Sequence, residues 1–453
     1  MIQEVVVTRG DRVSLAVAGC ALFLAAAPAQ ASPAVELPAS ASSAVATAGH
    51  TLPPDDAPRA ATSLRLTWSG YLQPQYQLDQ LSQDELTPDG HPLNQDRFSV
   101  RRGRLRGTAR GTLSQSHVWQ AVLEFDGSTT HGPQASVRRA QVSWQWQPDG
   151  DREPQLAVTA GLTGIPFGAE LRTAPDRLPF LERSAGSQAW FTGPVDTGAR
   201  LHGALGWFRF DLAVMGGTPL DDRAATLAED AVAAPDVVGR IGLEAQISSG
   251  WQLTAGLSAL TGKGFSPGTP ASKAQVAWQD FNDNGLLDSG ELVALPALAQ
   301  RPSETFERWA VGADLTAILQ SSAGVTLISA EAALGSNMDR GLFVADPIGS
   351  GLDQRSALAV VSIVQRLPRW ASFGVRAALY RPDLDWLDPR RGELWPVDQR
   401  FDVLAPQLTW HFNADAQLQA ELQLIDDRLG RDLAGQPVDA ANNRLSLRGQ
   451  LRF

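Results

Sequence analysis

The chain closes on "NNRLSLRGQLRF", Asn442 to Phe453. In steps of two, Leu445, Leu447, Gly449, Leu451 and Phe453 share one face, and Arg444, Ser446, Arg448, Gln450 and Arg452 share the other. Side chains alternate across a strand, so the stretch predicts a strand with one apolar and one cationic side. A soluble sandwich accommodates such a strand at its edge. A membrane barrel does so too, because its strands turn alternate residues to lipid.

The opposite end narrows the choice. "MIQEVVVTRGDRVSLAVAGCALFLAAAPAQASP" carries Arg9 and Arg12, then an apolar run from Val13 to Ala27, then Ala29-Gln30-Ala31. That order predicts a secretory signal, 1–31, cleaved after Ala31. The apolar run is short for a spanning anchor. Val17-Ala18-Gly19-Cys20 resembles a lipoprotein box, but apolar sequence continues past the cysteine to Ala27. Cys20 is the single cysteine, so the mature chain has neither a disulfide framework nor a thiolate metal site. Residues 32–63 are rich in Ala, Pro and Ser and predict a flexible periplasmic leader.

From residue 64 to the end the period of two recurs. Trp119, Ala121, Leu123 and Phe125 oppose Gln120, Val122, Glu124 and Asp126; Leu418, Ala420, Leu422 and Leu424 oppose Gln417, Gln419, Glu421 and Gln423. Segments 324–334 and 355–366 are apolar on both faces, which predicts packing against another subunit or an inserted loop. About 16 strands can be counted, an even number as a single-chain bacterial barrel requires. Short turns, such as those at Gly206, Ser248–Gly250 and Ser321–Ala323, alternate with long Gly/Pro/Asp-rich connections, the longest at 263–303. Short periplasmic turns and long external loops are the mark of an outer-membrane barrel. The expected fold is therefore an all-β transmembrane antiparallel barrel over 64–453, set in outer-membrane lipid, with Phe453 on the lipid face of its last strand.

If the apolar faces meet lipid, the lumen receives Arg65, Arg102, Arg104, Arg106, Arg110, Arg139, Arg200, Arg209, Arg240, Arg308, Arg376, Arg444, Arg448 and Arg452. Fewer acids share those faces: Glu124, Asp126, Asp211, Glu244, Asp314 and Glu421. The formal net charge of −11 does not oppose this, because acids gather in the loops. Arginine rings in a watery lumen favour small anions, since guanidinium stays charged and pairs with carboxylate or phosphate oxygens. "RFSVRRGRLRGTARG" (Arg97 to Gly111) also suits nucleic acid in isolation; export and a strand period argue against it. His202 and His411 stand in no recognisable hydrolase motif, so no enzyme is expected.

"DRFSVRRGRLRGTARG", "GLTGIPFGAELRTAPDRLPFLERS" (Gly161 to Ser184) and "DTGARLHGALGWFRFDLAVMGG" (Asp196 to Gly217) resemble the phosphate-selective porin O and P family. The resemblance is specific over 97–217 and general elsewhere. It implies a 16-stranded homotrimeric porin whose third long loop, here 164–195, folds into the pore. Glu170, Arg172, Arg177, Glu182 and Arg183 are then candidate constriction residues. Selective members add lumenal lysine to an arginine ladder, whereas this chain has only Lys263 and Lys273, both in an external loop. The expectation is thus a pore for small anions in general, with phosphate or polyphosphate as the resemblance suggests. The alternative is a non-conducting structural or adhesive barrel that displays its loops.

One further motif lies in the longest loop. In "DFNDNGLLDSGE", Asp280, Asn282, Asn284, Asp288 and Glu291 take positions one, three, five, nine and twelve. Gly285 takes position six and the Leu286 carbonyl position seven. This is the spacing of an EF-hand loop, so a Ca2+ ion is expected there, held at a Kd on the order of 0.1–1 mM. Its role would be to stiffen the loop.

Overall fold

The computed structural model describes residues 4–7, 64–80, 96–130, 132–148, 153–217, 235–266, 268–279, 285–368, 370–385, 387–390, 393–396, 399–430, 438–439 and 442–453. The signal at 1–31 and the leader at 32–63 lie outside them, apart from Glu4–Val7, whose backbone pairs antiparallel with Leu64–Thr67.

The molecule is a closed antiparallel barrel of 16 strands. They are β1 (Leu64–Asp79), β2 (Arg97–Ser114), β3 (His117–Ser128), β4 (Gln134–Trp146), β5 (Leu156–Gly164), β6 (Val195–Leu205), β7 (Phe208–Met215) and β8 (Asp236–Ser248). The second half is β9 (Trp251–Ser266), β10 (Glu304–Ser321), β11 (Gly324–Ser336), β12 (Arg355–Arg366), β13 (Ala371–Arg381), β14 (Phe401–His411), β15 (Ala416–Asp427) and β16 (Arg444–Arg452). Each strand pairs with its sequence neighbours, and β16 returns to β1 in the register Tyr71↔Arg452 to Asp79↔Arg444.

The seam is finished by the last residue. Phe453 donates its N–H to the Gly70 carbonyl at 3.0 Å and accepts from the Gly70 N–H at 2.9 Å. Gly70 has to be glycine because its Cβ would overlap the Arg104 carbonyl oxygen and stand 2.5 Å from Cζ of the Phe453 ring.

Period two holds across the wall. Leu72, Leu105, Leu123, Phe125, Val142, Leu212, Leu257, Val361, Leu379 and Leu451 are exposed on the outer face. Their alternates Gln73, Arg104, Glu124, Asp126, Ser143, Asp211, Ser258, Ser362, Tyr380 and Gln450 are buried inside. Trp68, Trp207, Trp251, Trp370 and Trp410 are exposed near the short-turn end, with Trp370 and Trp410 stacked at 5.2 Å. That is the position of an interfacial aromatic girdle.

Long connections gather at one end and short turns at the other, with one local departure. The connection 129–133 is shorter than the turn 147–155, because β3 and β4 stay paired as far as Ser128↔Gln134.

The two-faced apolar segments pack on an inserted loop. On β11 and β12 the inward residues Ala333 and Leu358 join Ala213, Met215, Val238, Leu260, Ala310 and Tyr380 from neighbouring strands. This cluster is completed by Ile165, Phe167, Leu171, Ala189, Trp190 and Phe191 from 165–194. The lumen thus has one apolar wall, β7 to β13, built to hold a loop.

Candidate functional site

Residues 165–194 cross the lumen and are fixed at both sides. On the apolar wall, the Glu331 carboxylate of β11 accepts from the N–H groups of Ala169 at 2.8 Å and Glu170 at 2.9 Å. Gly168 at the bend has φ +58°, and a Cβ there would overlap that carboxylate. A short helix, α1 (Ala185–Trp190), follows, with the Ser184 hydroxyl capping Ser187 N–H. Trp190 is buried and donates its indole N–H to Ser356 Oγ at 3.0 Å. Glu170 and Arg183 brace the loop internally: Glu170 accepts from Ser184 N–H at 2.8 Å, and Arg183 donates to the Phe191 carbonyl at 3.0 Å. Both side chains brace the loop, and Arg183 also borders the space between the loop and the wall.

The loop tip reaches the other wall. Leu181 N–H donates to Glu421 of β15 at 2.8 Å, and Gln419 donates to the Pro179 carbonyl at 2.9 Å. Arg376 of β13 donates to the Glu182 carbonyl at 2.6 Å and lies over the Phe180 ring at 4.7 Å. The Glu182 carboxylate receives Arg101 at 2.9 Å, Arg102 at 2.5 Å and Arg448 at 2.5 Å. Burial pushes the Glu182 carboxyl up, but Arg101, Arg102 and Arg448 outweigh it and hold the group well below the usual glutamate range.

Space remains between the loop and β2 to β6. A cavity of about 810 Å³ on the long-loop side is lined by Arg101, Arg102, Arg104, Arg138, Ser128, Ser136 and Glu182, among others. It adjoins a deeper cavity of about 210 Å³ lined by Arg106, Arg139, Arg172, Arg200, Glu124 and the 171–175 segment. Both share Arg104, Arg138, Thr173, Pro175 and Pro194.

The arginines fall into groups. Arg104 bonds Glu124 and Asp126, each at 3.1 Å, Arg106 bonds Glu124 at 2.5 Å, and Arg200 bonds Asp211 at 2.6 Å. Arg139 and Arg172 line the deeper cavity with no carboxylate in ion-pair distance among the described residues. Arg240 with Asp314 (2.5 Å), Arg308 with Asp236 (2.5 Å) and Arg376 with Glu170 and Glu421 (3.5 and 3.6 Å) are buried pairs. They tie strands and loop together away from the two cavities. Arg110 donates to Gln147 at 2.6 Å and Arg209 pairs with Glu153 at 3.1 Å at the short-turn rim, while Arg444 pairs with Asp79 at 2.6 Å at the long-loop rim. Arg177 is exposed on the loop.

Two arginines escape the period-two reading. The β1–β2 register passes from Gln73↔Arg102 to Pro74↔Val100, so Arg101 is an extra, unpaired residue. The β3–β4 register passes from Glu124↔Arg139 to Phe125↔Val137, which makes Arg138 the inserted residue of a second bulge. Each bulge turns inward an arginine that strict alternation assigns to lipid. Arg101 then reaches Glu182, and Arg138 stands 3.6 Å from Asp126.

The calcium motif is only partly described. Asp280, Asn282 and Asn284 lie outside the described residues. Gly285 has φ +71°, and the buried Glu291 carboxylate accepts from Asp288 N–H at 2.9 Å and from the Trp278 indole at 3.0 Å. No group of three or more His, Cys, Asp or Glu set to hold a metal occurs among the described residues. His202 contacts Thr159 at 3.4 Å and His411 contacts Ser372 at 3.0 Å.

No protein-family model and no curated protein matches this chain in sequence. In structure it is similar to the outer membrane channel DcaP of Acinetobacter baumannii, with TM-score 0.53, 10% identity, and coverage of 86% of this chain and 97% of that one. It is similar to an anion-selective porin from Comamonas acidovorans, with TM-score 0.52, 11% identity, and coverage of 86% and 99%. It is also similar to the outer-membrane-expressed OmpT of Vibrio cholerae, with TM-score 0.51, 10% identity, and coverage of 86% and 98%. The 16-stranded barrel is that of the outer-membrane porins.

Proposed function

We propose that this chain is an outer-membrane porin through which small anions diffuse passively. The observation that carries the reading is the adjoining pair of cavities between the inserted loop and β2 to β6. Their arginines outnumber their carboxylates, and Arg139 and Arg172 have no carboxylate partner among the described residues. A confined guanidinium with no carboxylate at ion-pair distance raises the local anion concentration and offers planar donors to an oxyanion. The similar porin from Comamonas acidovorans is described as anion-selective.

Phosphate and polyphosphate belong to this reading through the sequence resemblance over 97–217. So does a homotrimer, since a similar Vibrio cholerae outer membrane protein is described in trimer form. The cleaved signal delivers the chain to the outer membrane, with its short turns in the periplasm and its long loops outside. Calcium would stiffen the 267–303 connection. The glycine at the sharp-turn position and a Glu291 carboxylate folded back onto Asp288 N–H support that part.

Reversal potentials across a planar bilayer under a KCl gradient test the proposal. An anion-selective conductance supports it. A cation-selective pore contradicts the lumen assignment, and a silent barrel would favour the structural or adhesive alternative.

A further inference from the structure

One sector of the outer wall carries charge where its neighbours are apolar. On β13 to β15 the pairing continues past Tyr380↔Phe401 and Phe401↔Asp427, with Arg428 N–H donating to the Arg400 carbonyl at 2.9 Å. Arg381, Arg400 and Arg428 therefore stand side by side in one row, and Asp402 faces Asp426 in the row beneath. Both rows belong to the lipid face. Leu379, Leu404 and Leu424, two residues from Arg381, Asp402 and Asp426, are exposed on that face.

Two carboxylates directly opposite each other repel, and the guanidiniums offset this. Arg381 grips Asp402 through both oxygens, at 2.5 and 3.0 Å. Asp426 receives Arg400 at 2.5 and 3.0 Å and Arg428 at 2.9 Å. Three cations to two anions leave the cluster positive. Among the described residues, Arg428 gives only its Nε to a carboxylate, and Arg400 only its Nε and Nη2. The three side chains, in chain order, are 35%, 35% and 42% exposed, so the remaining N–H donors meet the surroundings.

The row lies at a membrane surface. Arg400 is ten residues from Trp410 of the short-turn girdle, which is about 25 Å along the membrane normal for a tilted strand. That is the height of a barrel's apolar band, so the guanidiniums reach the opposite headgroup layer. At a similar level on β1 and β2 the wall carries the aromatic pair Tyr76 and Phe98 instead, 4.3 Å apart. We propose that Arg381, Arg400 and Arg428 form a site on the outer wall that binds the headgroup phosphate of an anionic lipid beside the barrel. The open Nη groups supply donors to the phosphate oxygens, while Asp402 and Asp426 hold the three side chains in a row. A second copy of the chain would desolvate the row against a largely apolar wall, whereas an anionic headgroup offers the opposite charge. The site rests on the membrane placement of the barrel in the porin reading but not on ion flow through it.

Native mass spectrometry of the refolded full chain in detergent tests it, with diphosphoryl lipid A and zwitterionic phosphatidylcholine as probes. Lipid A should be retained about tenfold more tightly than phosphatidylcholine. Arg400→Gln combined with Arg428→Gln should weaken lipid A about tenfold and leave phosphatidylcholine unchanged. Arg355→Gln with Asp385→Asn removes a neighbouring exposed pair, 2.6 Å apart, and should keep wild-type binding. If the double arginine variant fails to refold, adding Asp402→Asn and Asp426→Asn leaves neither carboxylate uncompensated, and the same loss is expected. Equal retention of the two lipids overturns the inference, as does equal retention of lipid A by wild type and variant. Displacement of lipid A by inorganic phosphate overturns it too, by making free phosphate the ligand. So does loss of an oligomer in the variant with lipid A per chain unchanged, which would make the row a contact between copies. Conductance is read separately, so a failed lipid site leaves the porin reading standing, and a silent barrel leaves the lipid site standing.

Discussion

Whether an arginine in this barrel selects ions or holds the wall together depends on its partners. Arg139 and Arg172 line the deeper cavity with no carboxylate partner among the described residues, so their charge is available to permeating ions. Arg139→Glu or Arg172→Glu should move the reversal potential toward cation preference with the barrel still folded. No movement in either variant would place the ion path elsewhere. Arg240 is different, since it is buried against Asp314. Arg240→Ala should leave selectivity unchanged and destabilise the protein by about 3–5 kcal/mol in a urea unfolding series, because a buried carboxylate loses its counter-charge. Sequence alone could not separate these groups: it shows which face an arginine takes but not which acid stands beside it across the sheet. Arg101 and Arg138 were illegible for a second reason. A bulge inserts one residue and breaks the count of two, and "VRRGR" and "VRRAQ" contain nothing that marks which arginine is the extra one.

At the scale of elements, the inserted loop is held by separate contacts at its base and its tip, and mutation can remove some of them singly. Glu331→Ala takes away the acceptor of two half-buried backbone N–H groups. Each N–H left unsatisfied costs about 1–3 kcal/mol, so the loop should become protease-sensitive while the strands remain protected. Gly186→Val should have a similar effect, since its Cβ would meet Leu358 Cβ at 2.7 Å and Tyr380 Cδ2 at 3.0 Å. The tip behaves differently toward pH. Glu182 faces Arg101 and Arg102 on β2 and Arg448 on β16, with Arg376 of β13 on its carbonyl, and its folded pKa is depressed. Its contribution is therefore fully present above the ordinary glutamate pKa of about 4.3 and is lost only as pH falls through the lower folded value. Protection of 176–183, corrected for intrinsic exchange, should hold from pH 7 to pH 5; loss within that window would contradict a Glu182 carboxylate that stays charged among its arginines while Glu421, Gln419, Gln450 and Arg452 hold the rest of the tip. In the 267–303 connection, chelator and Glu291→Gln should each raise protease cleavage if calcium stiffens the segment, and unchanged cleavage in both removes the ion. The loop's destination was half legible. Apolar faces on both sides of 324–334 and 355–366 required a partner for the inner face, but nothing in those residues distinguished a loop of the same chain from a second subunit.

The whole molecule was the most legible level, because period two over so many strands leaves few alternatives to a closed wall. The closing residues show why. Leu445, Leu447, Leu451 and Phe453 take the outer side, Arg448 and Gln450 the inner, and the last carbonyl and N–H lock onto Gly70. The strict alternation of connection lengths was less reliable, failing where β3 and β4 pair almost to the loop tip. Beyond the wall, the proposed preference of the lumen for anions in a protein of net charge −11 rests on arginines outnumbering carboxylates in the two cavities. The direct measurement is the reversal potential of the refolded protein in a planar bilayer with a tenfold KCl gradient. The potential should carry the sign of an anion-selective pore and shrink when Arg139 or Arg172 becomes glutamate; a wild-type potential of the opposite sign would contradict an anion-preferring lumen.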